Sequence, residues 1–188
     1  LSKIEIPNDS KLEIIESYVF LNSKFDRIIL PKHVRTIGSS ALPQTINYIE
    51  FSPDSELKVI EYNLFFSFKF RCFPLPKHVK KISTSSFCHC KKLNFFDIKP
   101  DSELEVIEYC SFSYSNIKSF YIPPKITRIQ NEAFSCCYKL EIIEIDEKVN
   151  MDGISQYGII CNRRVIYMVP NKLATDFIKK VKIPTENF

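Results

Sequence analysis

The sequence predicts an α/β solenoid, in which successive turns of the chain stack on one another and share a single apolar core. Three observations lead to this prediction. Two families of similar segments alternate along the 188 residues, and 16 phenylalanines and 9 tyrosines accompany only 3 glycines. In addition, one copy of the repeated unit cannot bury its own apolar face, whereas stacked copies can. We therefore expect each unit to form one turn of the stack.

The repeat appears in two interleaved versions. Residues 54–62 read DSELKVIEY and residues 101–109 read DSELEVIEY, with an earlier copy beginning at Asp9. The second version has proline as its second residue: LPKHVRTI at residues 30–37 recurs as LPKHVKKI at 75–82, and as IPPKITRI further along. Because both versions share one skeleton of apolar positions, the repeat unit is about two dozen residues long. Units start at Leu1, Phe25, Ile46, Phe70, Leu93, Ile117 and Leu140.

Each unit predicts a short strand followed by a second inward-facing pair. Its first six residues read apolar-x-x-apolar-x-apolar, as in LSKIEI at residues 1–6, and this alternation is typical of a half-buried strand. A proline follows the strand in several units and ends it, because proline has no N–H to donate. The second pair, for example Val34 and Ile37, also faces inward. The units close on a bulky residue: Phe20, Phe65, Phe87, Phe112 and Phe134.

The units also differ in a regular way. Ile6 and Leu12 are six positions apart in the first unit, whereas Leu30 and Val34 are four apart in the second. The two extra residues recur in the third and fifth units. We interpret them as a bulge on alternate turns.

These residues resemble the BspA-like leucine-rich-repeat family, whose units read roughly L-x-x-I-x-I-P, then V-x-x-I, then A-F-x-x-C. Residues 140–145 (LEIIEI), 126–129 (ITRI) and 133–137 (AFSCC) match this pattern. The closing cysteine is present as Cys90 and Cys137, and the other turns hold Ser23, Thr45, Phe68 and Ser115 instead. The resemblance implies a right-handed leucine-rich-repeat superhelix. It would carry a short-stranded parallel sheet on its concave face and turns or short helices on its convex face.

We expect residues 1–188 to form a single leucine-rich-repeat domain whose repeat pattern is interrupted near its end. Residues 157–168 contain two short apolar runs around a polar turn, which predicts a hairpin within an insert at about residues 150–177. Residues 171–180 are a helix candidate. Residues 178–184, however, read IKKVKIP and restate the strand skeleton, so we favour a partial repeat over residues 178–188.

Composition and motifs argue against several classes of function. The net charge of +4 is mild for a nucleic-acid-binding protein. No apolar run approaches the roughly 18 residues that cross a bilayer, so we expect no membrane insertion within this chain. Phosphate-binding loops, zinc-protease motifs and nucleophile elbows are absent from the sequence. We expect no catalytic residues, no cofactor and no metal site.

Two local clusters need separate interpretation. Cys88, His89 and Cys90 are spaced more tightly than a zinc knuckle, and we expect Cys90 to pack into the turn while His89 faces solvent. His33 and His78 lie in the same column of alternate turns among lysines and arginines. This column is either an anion-binding flank or, as we favour, a solvated face. Acidic residues of the odd turns would then alternate with it in sign and form weak ion pairs.

Binding residues are sought at the outward strand positions, where leucine-rich repeats usually bind their ligands. The last outward position is acidic in every odd turn and apolar in every even one. Exposed aromatic residues among acidic ones resemble a protein interface, although scattered surface apolar residues would look similar. The candidate binding residues are Tyr48, Glu50, Phe95, Asp97, Tyr121, Ile142 and Glu144.

The resemblance implies a non-enzymatic protein-recognition module, which binds host or neighbouring-cell proteins on a cell surface or after secretion. The alternative is an intracellular, cytoplasmic protein-interaction scaffold that uses the same face. Seven cysteines do not separate the two, since free thiols suit the cytosol and the family suggests the outside. We expect protein partners, no nucleic acid, and any dimer to form through the exposed ends of the solenoid.

Overall fold

The computed structural model describes residues 3–159, 165–174 and 177. Over this part the chain coils into seven turns of parallel strands with very little helix. The first strands of the turns form the first layer: β1 (Lys3–Glu5), β3 (Arg27–Leu30), β5 (Tyr48–Phe51), β7 (Cys72–Pro74), β9 (Phe95–Asp97), β11 (Ser119–Ile122), β13 (Ile142–Ile145) and β14 (Ile166–Met168). The predicted parallel-strand solenoid is thereby confirmed.

The second inward pair of each turn also forms strands, which the sequence analysis did not predict. These strands form the second layer: β2 (Ile14–Ile15), β4 (Thr36–Ile37), β6 (Val59–Ile60), β8 (Lys81–Ile82), β10 (Val106–Ile107) and β12 (Arg128–Ile129). Each is two residues long and pairs in parallel with its neighbours. The side of the solenoid opposite the first layer is therefore built from short strands and turns. Short helices occur on that side in the seventh turn, where Met151–Gly153 and Gln156–Ile159 flank Ile154, which pairs in parallel with Ile129 of β12.

Register in the first layer places equivalent residues beside one another. Ile28 is level with Ile49, and Phe73 with Phe96. From β3 to β13 buried residues alternate with outward ones along each strand, as the sequence predicts, whereas Ile4 in β1 and Tyr167 in β14 are only half-buried. Ile49 and Phe120 are 4% and 2% exposed, as expected for core positions.

Both layers are interrupted close to the third turn, at staggered positions. In the first layer β5 pairs with β3 and not with β7, so two separate sheets result. Pro74 gives a physical reason, because a proline on β7 has no N–H to donate toward β5. In the second layer the interruption lies between β4 and β6. The third turn is thus paired to the second turn through β5 and to the fourth turn through β6.

Two ladders of phenylalanine rings fill the core. Closing residues of successive turns stack on each other: Phe87 and Phe112 have ring centroids 5.3 Å apart and ring planes 5° apart, and Phe112 stacks on Phe134 with the same values. A second ladder runs through the strand centres Phe73, Phe96 and Phe120. The two ladders meet edge to face, for example between Phe96 and Phe112 at 4.9 Å. Both arrangements are favourable aromatic geometries.

The closing turns form a third ladder of turn-to-turn hydrogen bonds. The Phe87 N–H donates to Ser111 O at 2.8 Å, and the Phe112 N–H donates to Ala133 O at 2.8 Å. Left-handed backbone conformations recur at two positions of these turns, and every one is held by a residue other than glycine: Tyr18, Ser40, Asn63, Ser67, Ser85, His89, Cys110, Tyr114, Glu132 and Cys136. Such conformations are costly outside glycine, so the surrounding hydrogen bonds must enforce them.

The three glycines serve a different purpose. None has a positive φ. A Cβ at Gly38 would lie 2.5 Å from the backbone nitrogen of Ser17, and one at Gly153 or Gly158 would meet the carbonyl oxygen of the preceding turn. These positions are glycine because neighbouring turns approach too closely for a side chain.

The odd turns carry the extra residues as hydrogen-bonded turns closed by serine. Ser55 Oγ accepts the Leu57 N–H at 3.4 Å, and Ser102 Oγ accepts the Leu104 N–H at 3.3 Å. Ser55 and Ser102 are both buried. The bulge predicted on alternate turns is therefore present.

The tail differs from the predicted hairpin. Met151–Gly153 forms a 3-10 helix and Gln156–Ile159 forms a short α-helix, α1, where the first arm of the hairpin was expected. β14 then pairs in parallel with β13 and so continues the first layer, whereas a hairpin would need antiparallel pairing. Residues 171–174 and residue 177 are helical, with Leu173 and Phe177 buried, which agrees with the helix alternative. The partial repeat predicted at residues 178–188 lies outside the described residues.

Candidate functional site

The candidate residues lie at adjacent outward positions of the first layer, as the register predicts. Phe95 is level with Ser119, and Ser119 with Ile142. Tyr121 is level with Glu144 on the neighbouring strand. The structure brings five of the seven candidates together in one depression, while Tyr48 and Glu50 lie in another across the interruption between β5 and β7.

The first depression, called here the Phe95 depression, has a volume of about 630 Å³. Phe95 is 50% exposed, and Ile142 contributes a half-buried aliphatic side chain beside it. Acidic residues surround this apolar surface: Asp97, Glu144, Asp146 and Glu147. An aromatic and aliphatic centre with a charged rim is the composition of a protein interface.

Tyr121 is fixed at the base of this depression. Its hydroxyl donates to Asp146 Oδ2 at 2.7 Å, and its ring packs partly against the core. Burial and the adjacent Asp146 carboxylate raise the pKa of Tyr121, and the hydrogen bond from Tyr121 lowers the pKa of Asp146. Tyr121 therefore acts as a positioned part of the wall rather than as a freely exposed aromatic.

The second depression, called here the Arg71 depression, lies at the interruption between β5 and β7 and has a volume of about 530 Å³. Tyr48, 40% exposed, forms one side; its hydroxyl donates to Glu50 Oε2 at 2.8 Å and its ring lies 4.0 Å from the guanidinium carbon of Arg27. Three further cationic residues line the depression: Lys69, Arg71 and Lys92.

The sequence analysis missed these three cations. They precede the strands rather than occupying them, so a search restricted to outward strand positions did not reach them. The signal was nevertheless present, because Lys69 and Arg71 come immediately before β7 and Lys92 comes shortly before β9. Basic residues before the strands of successive turns lie side by side in a solenoid.

The basic residues next to the second-layer strands are paired with carboxylates, as the favoured interpretation predicts. The Arg35 guanidinium contacts Glu56 at 2.8 Å, and His33 contacts the same carboxylate at 3.1 Å. In later turns His78 contacts Glu103 at 3.2 Å. Further pairs join Lys77 to Asp101, Lys80 to Glu105 and Lys81 to Glu108. These carboxylates neutralise much of the basic column, and because the pairs are exposed each contributes little to stability.

The cysteine and histidine cluster is divided among different partners. Cys90 is fully buried and its thiol donates to Phe65 O at 3.1 Å, as expected. His89, expected to face solvent, is half-buried and stacks on Tyr114 with centroids 4.7 Å apart. Burial raises the pKa of Cys90 to about 12. Within residues 3–159, 165–174 and 177, no group of three or more metal-ligating side chains comes together.

Cys136 differs from the buried thiols. Hydrogen bonds from the hydroxyls of Tyr138, Tyr114 and Ser135 lower its pKa, whereas burial raises the pKa of its neighbour Cys137 to about 11. The Ser135 hydroxyl lies 3.7 Å from the Cys136 sulfur. Among the cysteines in the described part of the chain, Cys136 has the environment that most favours the thiolate.

Comparisons with known proteins identify the family of the repeat. The profile of the BspA type leucine rich repeat region matches residues 1–94 and residues 58–162. A comparison with curated proteins finds no match. No helix in the described ranges is long and apolar enough to cross a membrane.

Solved structures share the fold at low sequence identity. The pneumococcal vaccine antigen PcpA is 22% identical with a TM-score of 0.63, over 68% of this chain and 33% of that protein. A leucine rich cell surface protein of Faecalibacterium prausnitzii A2-165 is 21% identical with a TM-score of 0.57, over 81% of this chain and 50% of that protein. The leucine rich repeat protein of T. pallidum is 15% identical with a TM-score of 0.53, over 97% of this chain and 84% of that protein. The aligned region thus spans one third to one half of the first two proteins.

Proposed function

The chain belongs to the BspA-type leucine-rich-repeat family, and from this premise we propose that it is a protein-recognition module without catalytic activity. It would bind host or neighbouring-cell proteins on a cell surface or after secretion. The similar fold of a bacterial cell surface protein and of a pneumococcal vaccine antigen supports this proposal. The array would coil in the right-handed sense that connections between parallel strands nearly always adopt, with the first layer on its concave face.

The observation that carries the proposal is the Phe95 depression. Exposed apolar patches rimmed by polar residues often mark protein interaction sites. Here the rigid first layer holds Phe95 and Ile142 on either side of Ser119, so little conformational entropy would be lost on binding. The acidic rim would favour a partner with basic side chains around an apolar centre.

A second candidate is an intracellular scaffold that uses the same face. One observation favours it: the six described cysteines are all free thiols. Free thiols are usual in reducing compartments. The location of the protein in its native cell, determined by antibody labelling of intact and permeabilised cells, distinguishes the two candidates.

The test uses a double variant, Phe95→Ala with Ile142→Ala, and a matched control. Both purified proteins are measured for binding to intact cells and to a panel of purified extracellular proteins. We expect the double variant to lose about tenfold or more in affinity. The control, Tyr62→Ala with Tyr157→Ala, removes two exposed tyrosines outside the depression, 53% and 64% exposed. Equal losses in both variants, or no loss in the first, would contradict the proposal.

A further inference from the structure

We infer that the Arg71 depression binds an acidic peptide segment of a protein partner. The inference rests on the proposed function, because it gives the chemistry of the partner for one half of the outward face. Two features coincide here: a cluster of unpaired cations and a gap in the backbone hydrogen bonding between neighbouring strands.

The cations are Lys69, Arg71 and Lys92, and all three are exposed. None of them forms an ion pair with any residue in the described part of the chain. This contrasts with the second layer, where basic residues of successive turns are matched by carboxylates. Because their charges are not neutralised internally, the three side chains produce a local positive field that attracts carboxylates.

Across the gap, the backbone N–H and C=O groups of β5 and β7 that face each other form no hydrogen bonds with one another. In the neighbouring ladders the Tyr48 N–H donates to Asp26 O, and the Phe95 N–H donates to Arg71 O. The same parallel register would set the Cys72 N–H opposite the carbonyl of Asn47.

One position further along each strand, residue 74 lies opposite the carbonyl of Ile49, and Pro74 has no N–H to donate to it. No backbone hydrogen bond joins β5 to β7 within the described ranges. In the same register the Ile49 N–H lies opposite the Cys72 carbonyl, so the depression offers two main-chain donors and three main-chain acceptors beside its three cations.

These acceptors favour a peptide over a polysulfated glycan. A peptide brings a regular series of main-chain N–H groups for the carbonyls as well as carboxylates for the cations, whereas a sulfated glycan has only scattered hydroxyl and amide donors. Glu50 in the wall would also repel a ligand that is anionic throughout.

The cations, moreover, do not form an uninterrupted basic track along the array, because Thr45 and Asn116 stand in the column of Lys69 and Lys92. In the column of Arg71 one other turn holds a cation, Lys118, and the remaining turns hold uncharged or acidic residues: Asp26, Asn47, Asn94 and Glu141. A volume of about 530 Å³ suits a short segment with one or two acidic side chains.

The probe is a fluorescent polyglutamate peptide, and its affinity for the full chain is measured by polarisation at low ionic strength. Replacing Lys69, Arg71 and Lys92 together by Ala should weaken binding by about tenfold or more. The matched control replaces Lys32, Lys125 and Lys148 by Ala, which removes the same charge from exposed positions elsewhere. A polyglutamine peptide should not bind. Equal weakening in both triple variants would overturn the inference, because binding would then follow net charge alone.

A second variant tests the gap itself. Pro74→Val restores an N–H opposite the Ile49 carbonyl, so we expect hydrogen exchange to show a new protected amide at residue 74 and peptide affinity to fall. If this variant does not fold, the triple variant still decides.

Heparin that binds more tightly than polyglutamate, with the same dependence on the three cations, would assign the depression to a sulfated glycan instead and overturn the inference. The variant Phe95→Ala with Ile142→Ala should bind polyglutamate normally. Failure of the proposed function and failure of this inference can therefore be told apart.

Discussion

The rings of Phe87 and Phe112, the closing residues of successive turns, lie 5.3 Å apart with their planes only 5° from parallel. Their separation follows the spacing of the stacked strands, which is close to 5 Å in any parallel ladder. A phenylalanine at the same position of each turn therefore meets an identical ring above and below it. The regular recurrence of phenylalanine in the sequence therefore corresponds to a stack of rings in the core.

The first prediction concerns this ladder. Phe112→Ala removes a fully buried ring that contacts Phe87, Phe134 and two rings of the strand ladder, so it should lower the free energy of unfolding by about 3–5 kcal/mol. Phe95→Ala is the control, since Phe95 is half exposed, and it should cost less than about 1 kcal/mol. Urea-induced unfolding of both variants measures the difference. Similar costs would show that the two positions are equally buried in solution.

The left-handed closing turns give a second prediction. Ser85 has a φ of 57°, a conformation that a β-branched residue adopts only at a cost of about 1–2 kcal/mol. Ser85→Val should therefore destabilise the protein by about that amount, while Ser85→Gly should leave it at least as stable as the wild type. Thermal unfolding of the two variants compares them. A stabilising valine would mean that this turn is not left-handed.

The sequence predicts the parts of the fold that depend on apolar spacing. Strand centres, closing residues such as Phe112 and the cross-turn pairing of His33 with Glu56 all follow from equivalent positions lying side by side. The interruption at Pro74 does not follow from this spacing, because prolines were interpreted as ends of strands and Pro74 lies within a strand. The left-handed conformations of the closing turns leave no signal in the composition either. They are adopted by residues other than glycine, because the neighbouring turns enforce them.

The candidate site is predicted only in part, for a related reason. Outward strand positions such as Phe95 and Glu144 follow from the alternation of side chains along a strand. The Arg71 depression depends on a gap between two strands, and a gap is a property of pairing rather than of one residue. The tail was assigned wrongly as a hairpin because two short apolar runs fit a helix followed by a parallel strand equally well.

The hydrogen bond between Tyr121 and Asp146 predicts a dependence of stability on pH. The pKa of Asp146 is lower in the folded protein than in the unfolded chain, so its contribution is fully present above the unfolded pKa of about 3.9 and is lost as the pH falls through the folded value. The free-energy difference between the wild type and Asp146→Asn should be constant above about pH 5 and should shrink in more acidic solution. Urea unfolding at a series of pH values measures it.

Tyr121→Phe serves as the matched variant in that series, because it removes the donor and keeps the ring. It should reproduce most of the reduced acid dependence of Asp146→Asn. An acid dependence identical to the wild type in both variants would show that the hydrogen bond is not formed in solution.

Thiol reactivity provides a further prediction. Cys136 should be alkylated by iodoacetamide faster than Cys90 and Cys137, because three hydroxyl donors lower its pKa while burial raises theirs. Peptide mass spectrometry after brief labelling at neutral pH gives the order. Tyr138→Phe removes the hydrogen bond that lowers the pKa of Cys136 the most, so it should slow the reaction of Cys136. Labelling of Cys72, an exposed thiol on the first layer, is the internal control.

The staggered interruptions have a mechanical consequence. A pull along the axis of the solenoid meets no plane at which both layers are already separate, since the third turn holds β3 through β5 and β8 through β6. Force passes sideways through the connecting residues 52–58, which are also anchored by the Glu56 N–H to Lys32 O bond at 2.8 Å. The array should therefore resist tension as one piece, because rupture at this level requires the β3–β5 ladder or the β6–β8 ladder to break.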